Sequence, residues 1–313
     1  SSAASDVYKR QTVETEAGVE TKLLDIDRDL LLIPNVAIHM NRQANEGYKW
    51  NPAVDTLPLI GSAGTAGKLP ALLEKEAGGK ILGHDLYLYI RQKASVWGVD
   101  EEYISSAALD DLECAWGCTQ GFLKGRDSAS IPVLCVFDSE EVGSVSPQGA
   151  GSSLLEDTLG RICDGLKLNR GRMLAQSFLV SADNAHAVHP NHPEYADPGN
   201  APVMGGGLVI KYNANLSYCT DSVSAAVFRK ICGRAGVKVQ TYHNRADLPG
   251  GSTLGRISLA HVSVPTVDIG LAQLAMHSCY ETAAVSDAID LETAMAAYYG
   301  STLEATGSGF SIL

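Results

Sequence analysis

The chain has 313 residues, of which 45% are hydrophobic and 19% are charged, a composition typical of a globular protein with one or two domains. Its 36 acidic residues against 24 Lys and Arg give a formal net charge of −12 at pH 7, which argues against a surface that binds nucleic acid or an anionic membrane. The longest apolar runs are interrupted and too short to span a bilayer.

The N-terminal part of the chain predicts a small β-rich unit. Residues 1–11 match no helix or strand signal, and we interpret them as an expression scar or a truncation joint outside the fold. Residues 12–40 have a strand-like pattern that Pro34 interrupts. Residues 41–82 are rich in loop signals, with one short helix predicted near Leu69–Ala77.

From about residue 94 onwards, helical and strand patterns alternate. The predicted helices cover residues 110–123, 152–166, 221–236 and 290–301, and the predicted strands cover residues 131–137, 177–183, 237–244 and 264–271. Short apolar runs such as "IPVLCVF" (131–137) are typical of strands buried on both faces. Ser153 and Glu156 have the spacing of a capping box. The alternation predicts an α/β fold with a mostly parallel sheet flanked by helices.

The cysteines indicate a reducing environment. The seven of them, at positions 114, 118, 135, 163, 219, 232 and 279, lack the spacing of a disulfide framework. An odd number of scattered cysteines predicts free thiols and a cytoplasmic location. Cys114 and Cys118 stand four residues apart on a predicted helix, where small core residues are far commoner than a metal-binding pair.

Acidic and imidazole side chains collect where predicted strands end and where a helix begins. These candidates are Asp110, Asp111, Asp138, Glu140, Glu141, Asp183, His186, His189 and His277. In open α/β sheets, sites form beyond the carboxyl ends of strands, and carboxylates gathered there repel one another unless a cation holds them. Mixed His, Asp and Glu donors suit zinc, manganese or cobalt. Each candidate alone is more often structural, and Asp110 could be only an N-cap; their shared placement favours a metal site.

Seven short segments are far more specific together than any one of them is alone. They are "IPNVAIHMNR" (33–42), "NEGYKWNP" (45–52), "LDDL" (109–112), "FDSEEVGS" (137–144), "SADNAHAVHPN" (181–191), "GGSTLG" (250–255) and "LAQLAMHS" (271–278). They resemble the signature segments of the aspartyl aminopeptidase family of two-zinc exopeptidases, over about residues 24–290. The resemblance implies a zinc-peptidase catalytic domain over residues 94–313 and a smaller β-rich dimerisation domain over residues 12–93. It also implies a homo-oligomer built from dimers.

The resemblance implies roles for individual residues. The zinc ligands would be Asp110, which bridges two zinc ions, together with Glu141, Asp183 and His277. Glu140 would be the general base that takes a proton from a zinc-activated water and passes it to the leaving amine. The implied reaction removes N-terminal residues, acidic ones above all, from peptide substrates.

Further residues are implied on the substrate side of the site. His39, in "AIHM", would reach from one subunit into its neighbour's site and stabilise an oxyanion. Lys211, in "VIKYN", would lie near the acidic side chain of the substrate. His186, Gly251 and Ser252 would contact the substrate, while a plain turn explains the "GGST" loop equally well.

One motif of the family is absent from this sequence. Family members carry an "HxD" motif in a longer N-terminal segment, and its His binds one zinc. No such motif occurs before residue 24, and the neighbouring His84 and Asp85 lie elsewhere. The resemblance therefore implies an N-terminally truncated chain that lacks one zinc ligand and the first strands of its catalytic sheet. We expect such a chain to bind at most one zinc ion tightly.

Two other functions stay open on the sequence alone. The same chemistry could act on neutral N-terminal residues, or the chain could be a catalytically inactive oligomerising homologue. Neither alternative involves nucleic acid or a membrane, because the net charge of −12 is unfavourable for both.

Overall fold

The computed structural model describes residues 5–126, 128–248 and 250–313. The chain divides into two compact units, Ser1–Lys93 and Ala94–Leu313, called unit 1 and unit 2 below. Within the described residues, no helix combines the length and the apolar character needed to cross a membrane.

Unit 1 is built on a three-stranded antiparallel sheet. Its strands are β1 (Ser5–Thr15), β2 (Gly18–Asp25) and β3 (Ile81–Ile90), and its helices are α1 (Pro52–Asp55) and α2 (Lys68–Ala77). β1 lies between β2 and β3 and pairs with both. Leu73 and Ala77 lie one turn apart on α2, and both are buried. The helix predicted near Leu69–Ala77 is therefore confirmed, and its buried apolar residues stabilise it.

Two predictions for unit 1 are wrong in part. Residues 5–11 are not outside the fold, because they form the first part of β1, and residues 1–4 lie outside the described residues. Gln11 pairs with Lys22 on one side and with His84 on the other, and local signals cannot reveal pairing over such distances. The strand pattern predicted over residues 12–40 ends at Asp25, and beyond it the described part of that range has only isolated bridge residues, Leu31 and Leu32.

Unit 2 contains the remaining helices and strands of the described chain. Its strands are β4 (Ser95–Trp97), β5 (Tyr103–Ser106), β6 (Leu179–Ala182), β7 (Ala185–His186), β8 (Leu208–Tyr212), β9 (Val239–His243), β10 (Thr266–Gly270), β11 (Ala272–Leu274), β12 (Glu281–Ala284), β13 (Leu303–Thr306) and β14 (Gly309–Ile312). Its helices are α3 (Leu109–Lys124), α4 (Leu154–Gly165), α5 (Arg170–Ala175), α6 (Ser222–Ala235), α7 (Leu254–Leu259) and α8 (Val285–Gly300).

The strands of unit 2 form two larger sheets and one hairpin. The strand orders are β6-β10-β8-β9, β4-β5-β12-β11-β7 and β13-β14. In the four-stranded sheet β10–β6 and β8–β9 are parallel and β10–β8 is antiparallel. In the five-stranded sheet only β11–β7 is parallel. The predicted α/β class with flanking helices is confirmed, but the sheets are mixed rather than mostly parallel, because β10–β8 and most pairs of the five-stranded sheet are antiparallel.

The four-stranded sheet is buried on both faces. Leu208 and Ile210 of β8 pack in one core with Phe228 and Ile231 of α6, and all four are fully buried. Val209, which points to the opposite face, is buried in a separate cluster with Tyr218 and Tyr242. Burial of both faces explains why β8 has no polar alternation, as expected for such a strand.

Two glycines allow α3 to pack closely on α8. A Cβ at Gly121 would lie 2.8 Å from the backbone nitrogen of Ala296, and a Cβ at Gly117 would lie 2.7 Å from Cδ2 of Leu291. Both glycines face α8 because residues four apart share one side of a helix. This contact fixes the helix whose first turn carries Asp110.

Two local predictions for unit 2 are wrong. Residues 131–137 form no strand, and Ile131, Val133 and Val136 in this apolar run are exposed, because no strand of the described chain pairs with their backbone. Ser153 makes no capping bond; its hydroxyl donates to the carboxylate of Asp157 instead. A capping box occurs at α6, between Asp221 and Ser224.

Candidate metal centre and active site

An open cleft in unit 2 gathers most of the residues predicted for the site. Its lining includes Asp110, Glu140, Glu141, Asp183, His186, Lys211, Gly251, Ser252 and His277, with Asn184, Tyr218, Tyr242 and Thr253 beside them. These residues come from distant parts of the sequence, so the tertiary fold alone brings them together.

The acidic and imidazole groups lie in turns and at the ends of helices and strands. Asp110 lies in the first turn of α3 with non-helical backbone angles, and the cap position is Ala108 rather than Asp110. Asp183 directly follows β6, and His277 lies in the turn between β11 and β12. Glu141 lies in a short 3-10 helix, Glu140–Val142. The N-cap interpretation of Asp110 is therefore wrong, and its side chain faces the cleft instead.

Three of the predicted ligands converge on one point. Nε2 of His277 lies 3.2 Å from Oδ2 of Asp110 and 3.2 Å from Oε2 of Glu141. The donor atoms of these three residues all lie within 4.8 Å of one another. Asp110, Asp111 and Asp183 form a second group of donors with the same spacing. Asp110 belongs to both groups, as a residue between two cation positions would.

The local electrostatics are unfavourable for the carboxylates on their own. Burial, reinforced by the charges of Asp183 and Glu141, raises the pKa of Asp110 to about 7. Burial and the charge of Asp183 also raise the pKa of Asp111 well above its ordinary value. The Asp110 side chain is only 3% exposed, and its Oδ1 has no hydrogen-bond partner within the described residues. A bound cation would relieve both the repulsion and the unsatisfied oxygen.

Glu140 stands beside this cluster without belonging to either donor group. It is half-buried and lines the cleft, whereas Glu141 is exposed. Burial, followed by the charges of Asp183 and Glu141, raises the pKa of Glu140 above its ordinary value. The two adjacent glutamates therefore occupy different environments, and this difference can separate a metal ligand from a group that moves protons.

Lys211 is buried beneath the cleft. It is 2% exposed, and its Nζ donates to the carbonyl of Asp183 at 2.7 Å, to that of Asn184 at 3.0 Å and to Oδ2 of Asp183 at 3.2 Å. Burial opposes the charge of this ammonium, but Asp183 and Tyr218 outweigh that effect and raise the pKa of Lys211 above its ordinary value. Its three hydrogens are directed at protein acceptors.

Other residues singled out in the sequence lie elsewhere. His39 is exposed in unit 1. Asp138 is exposed and accepts the backbone N–H of Ser139, outside the lining of the cleft. His189 lies in a neighbouring cleft that shares His186 and Tyr242 with the first. Of the candidates predicted at strand ends, Asp138 and His189 therefore lie outside the cleft.

Two buried carboxylates of the site escaped sequence reasoning. Glu281 accepts the backbone N–H groups of Asp110 and His277. Asp268 accepts the Thr253 hydroxyl at 2.8 Å and so anchors the loop that places Gly251 in the cleft. The available sequence signal was a charged residue within an otherwise uncharged segment, "ETAA" (281–284) or "VPTVDIGL" (264–271).

Comparison with known proteins identifies the family. A model of the M18 peptidases, described as aminopeptidase I zinc metalloproteases, matches residues 6–299. The chain belongs to the M18 family. A probable M18 family aminopeptidase 2 from Clostridium novyi is 43% identical over 278 residues, which are 86% of this chain and 64% of that protein. The chain thus spans less than two thirds of this relative.

Solved M18 structures share the fold. The chain superimposes on a chain of the Ape4 and Nbr1 complex, solved by cryo-EM, with a TM-score of 0.87 and 33% identity, over 95% of this chain and 63% of that one. It also superimposes on the mApe1 dodecamer of S. cerevisiae, with a TM-score of 0.77 and 21% identity, over 95% of this chain and 69% of that one. The second likeness concerns the fold alone.

The donor atoms of this M18 chain fit the zinc ion that defines the family. Imidazole nitrogen and carboxylate oxygen are common zinc ligands, and both occur among Asp110, Glu141 and His277. The unpartnered Oδ1 of the buried Asp110 adds a further donor. Zinc as the predicted cofactor is thus confirmed by the family, and the donor set is consistent with it.

Proposed function

We propose that the protein containing this chain is a zinc aminopeptidase that removes N-terminal residues from peptides. The observation that carries the proposal is the convergence of one imidazole and two carboxylates, with Nε2 of His277 3.2 Å from an oxygen of Asp110 and 3.2 Å from an oxygen of Glu141. This convergence lies in an open cleft, and membership of the M18 family gives the reaction class.

The residues of the cleft divide the work of peptide hydrolysis. Asp110, Glu141, Asp183 and His277 would hold zinc, which when bound lowers the pKa of water and polarises a carbonyl. Glu140, outside both donor groups, would accept the proton from the attacking water and donate it to the leaving amine. The open side of the cleft leaves room for a peptide that enters by its N-terminus.

Replacement of Glu140 by Gln tests this assignment in the full-length protein. Glu140→Gln keeps the shape of the side chain but cannot accept a proton, so turnover of an aminoacyl chromogenic amide should be lost while zinc content stays at the wild-type value. Asp138→Asn is the matched control, because Asp138 is exposed and bonds only its neighbour Ser139. A Glu140→Gln enzyme with the wild-type rate would show that another group is the base.

Acidic N-terminal residues are the substrates we propose. The support is Lys211, the one Lys or Arg that lines the cleft within the described residues. Because its hydrogens already bond Asp183 and Asn184, an acidic substrate would have to share them. A neutral preference is the alternative that these occupied bonds favour. A panel of aspartyl, glutamyl and leucyl amides decides, since faster hydrolysis of the leucyl amide would contradict the acidic preference.

Self-association is proposed for the same protein, with unit 1 as the dimerisation region. Unit 1 exposes apolar side chains close to His39 in sequence, among them Ile38 (49% exposed) and Met40 (83% exposed). We propose that His39 from one copy completes the active site of another. Mixing two inactive variants, His39→Ala and Glu140→Gln, should then restore activity in hybrid assemblies. No recovery in mixed assemblies of confirmed hybrid composition would contradict it.

A cytoplasmic location is part of the proposal. All seven cysteines are free thiols, as expected in a reducing compartment. Thiol alkylation in intact cells followed by mass spectrometry checks this, because disulfide-bonded cysteines would contradict a cytoplasmic protein.

A further inference from the structure

Glu281 joins the backbones of two predicted zinc ligands. It is the first residue of β12 and is 2% exposed. Its Oε1 accepts the backbone N–H of His277 at 2.7 Å, and its Oε2 accepts the backbone N–H of Asp110 at 2.9 Å. Each oxygen of one buried carboxylate therefore holds a different ligand-bearing segment.

The topology explains how one side chain reaches both segments. β12 lies between β5 and β11, and Glu281 is paired with Ser106 at the end of β5. The chain continues from β5 into the first turn of α3, which carries Asp110. On the other side, the turn between β11 and β12 carries His277. Glu281 thus stands where the two segments leave the sheet.

Both ligands have backbone conformations that need support from outside. His277 has a φ of +64°, in the left-handed region, which is unfavourable for a residue with a Cβ. Asp110 has a ψ of 110° inside a helical turn and so cannot join the regular helical bonding. Strained backbone persists where surrounding groups over-determine it. A carboxylate that accepts from an N–H forms a charge-assisted bond, which is stronger than a neutral one.

We infer that Glu281 is a positioning residue that sets the separation of Asp110 and His277 and so preorganises the zinc site. The inference rests on the proposed function for the presence of zinc. The positioning role itself rests on the two hydrogen bonds of Glu281. Glu281 does not line the cleft and does not touch the reacting atoms; it acts through the two ligands. Groups that orient metal ligands typically change metal affinity about 10–100-fold when they are replaced.

Two substitutions separate the hydrogen bonds from the charge. Glu281→Gln keeps the length of the side chain, but its amide group must point a donor at one of the two N–H groups. Glu281→Asp keeps the charge and is one methylene shorter, so it cannot reach both amides. Glu113→Gln is the control: Glu113 is a buried carboxylate that contacts the side chain of Asn184.

The experiment has three readouts on the full chain: amide exchange, zinc affinity and the absorption spectrum of bound cobalt. Hydrogen exchange of the metal-free protein, followed by NMR, reports the amides of Asp110 and His277, and we expect at least the one that faces the Gln amide nitrogen to exchange at least tenfold faster in Glu281→Gln. Zinc affinity, measured by chelator competition, should fall about 10–100-fold in that variant and in Glu281→Asp. Cobalt in place of zinc should show shifted visible absorption bands in these variants but not in Glu113→Gln.

Each outcome decides something distinct. Unchanged exchange at both amides overturns the inference, and so does faster exchange with zinc affinity and cobalt spectrum as in the wild type. Affinity lost in Glu281→Gln but retained in Glu281→Asp would assign the effect to charge and also overturn it. If Glu281→Gln fails to fold, Glu281→Asp decides by the same criteria. A wild-type chain that takes up no zinc contradicts the proposed function, while the exchange rates still judge the Glu281 contact.

Discussion

Replacement of Lys211 by Met should strongly destabilise unit 2. The change keeps an unbranched apolar side chain as long as the Lys stem, next to the Tyr218 ring that lies 5.2 Å from the ammonium, but it removes all three hydrogen bonds of the Nζ. Two carbonyls lose a partner, and the carboxylate of Asp183 loses the cation that lies 3.2 Å away.

The size of the effect follows from the burial of Lys211. Leaving one buried polar group unsatisfied costs about 1–3 kcal/mol, and breaking a buried ion pair from one side costs about 3–5 kcal/mol. These costs overlap, because the same ammonium serves all three acceptors and the carboxylate of Asp183 is partly accessible, with 19% of its side chain exposed. We therefore expect the free energy of unfolding to fall by about 3–5 kcal/mol.

Urea denaturation of the metal-free chain, followed by circular dichroism, measures this loss. Lys230→Met is the matched control, because Lys230 is exposed on α6 and such changes usually alter stability by less than about 0.5 kcal/mol. A Lys211→Met chain within about 1 kcal/mol of the wild type would refute the reasoning that these bonds stabilise the fold. In the full-length enzyme, an equal loss of rate on acidic and neutral substrates would indicate that Lys211 acts by holding Asp183.

Two further predictions concern packing and metal uptake. Gly121→Ala should destabilise unit 2 by about 1–3 kcal/mol, because its Cβ would lie 2.8 Å from backbone atoms of α8. Gly233→Ala, where a Cβ meets nothing within 4 Å, should stabilise it by about 0.5–1 kcal/mol; thermal unfolding compares the two, and equal effects would contradict the close packing. Because the pKa of Asp110 is raised to about 7, this carboxyl is largely protonated at pH 6 and ionised at pH 8, so zinc uptake should release more protons at pH 6. Calorimetry in buffers with different ionisation enthalpies measures this release, and equal release at both pH values would contradict it.

The elements that the sequence predicts well depend on local physics. The apolar stripe of α2 and the left-handed Gly236 that ends α6 follow from residues within one or two turns of each other. Apolar runs such as "SFLV" (177–180) become strands when a partner strand is present. The same kind of run at residues 131–137 stays unpaired among the described residues, and no local signal distinguishes the two cases.

The order of short motifs along the chain indicated the candidate ligands and the family, because residue type and chain order are properties of the sequence itself. Distances are not. The 3.2 Å approach of His277 to both Asp110 and Glu141 depends on three turns separated by up to 167 positions.

Tertiary structure alone decided which buried charged groups hydrogen-bond to the predicted zinc ligands. Lys211 sits in the apolar strand "LVIKY" (208–212), and folding placed its ammonium against Asp183 at the wall of the cleft. Glu281 is tied to Asp110 by a hydrogen bond that spans 171 positions, and no pattern in its own neighbourhood encodes that bond. The sequence determined which groups are available for chemistry; the pairing of distant strands determined which of them hold the others in place.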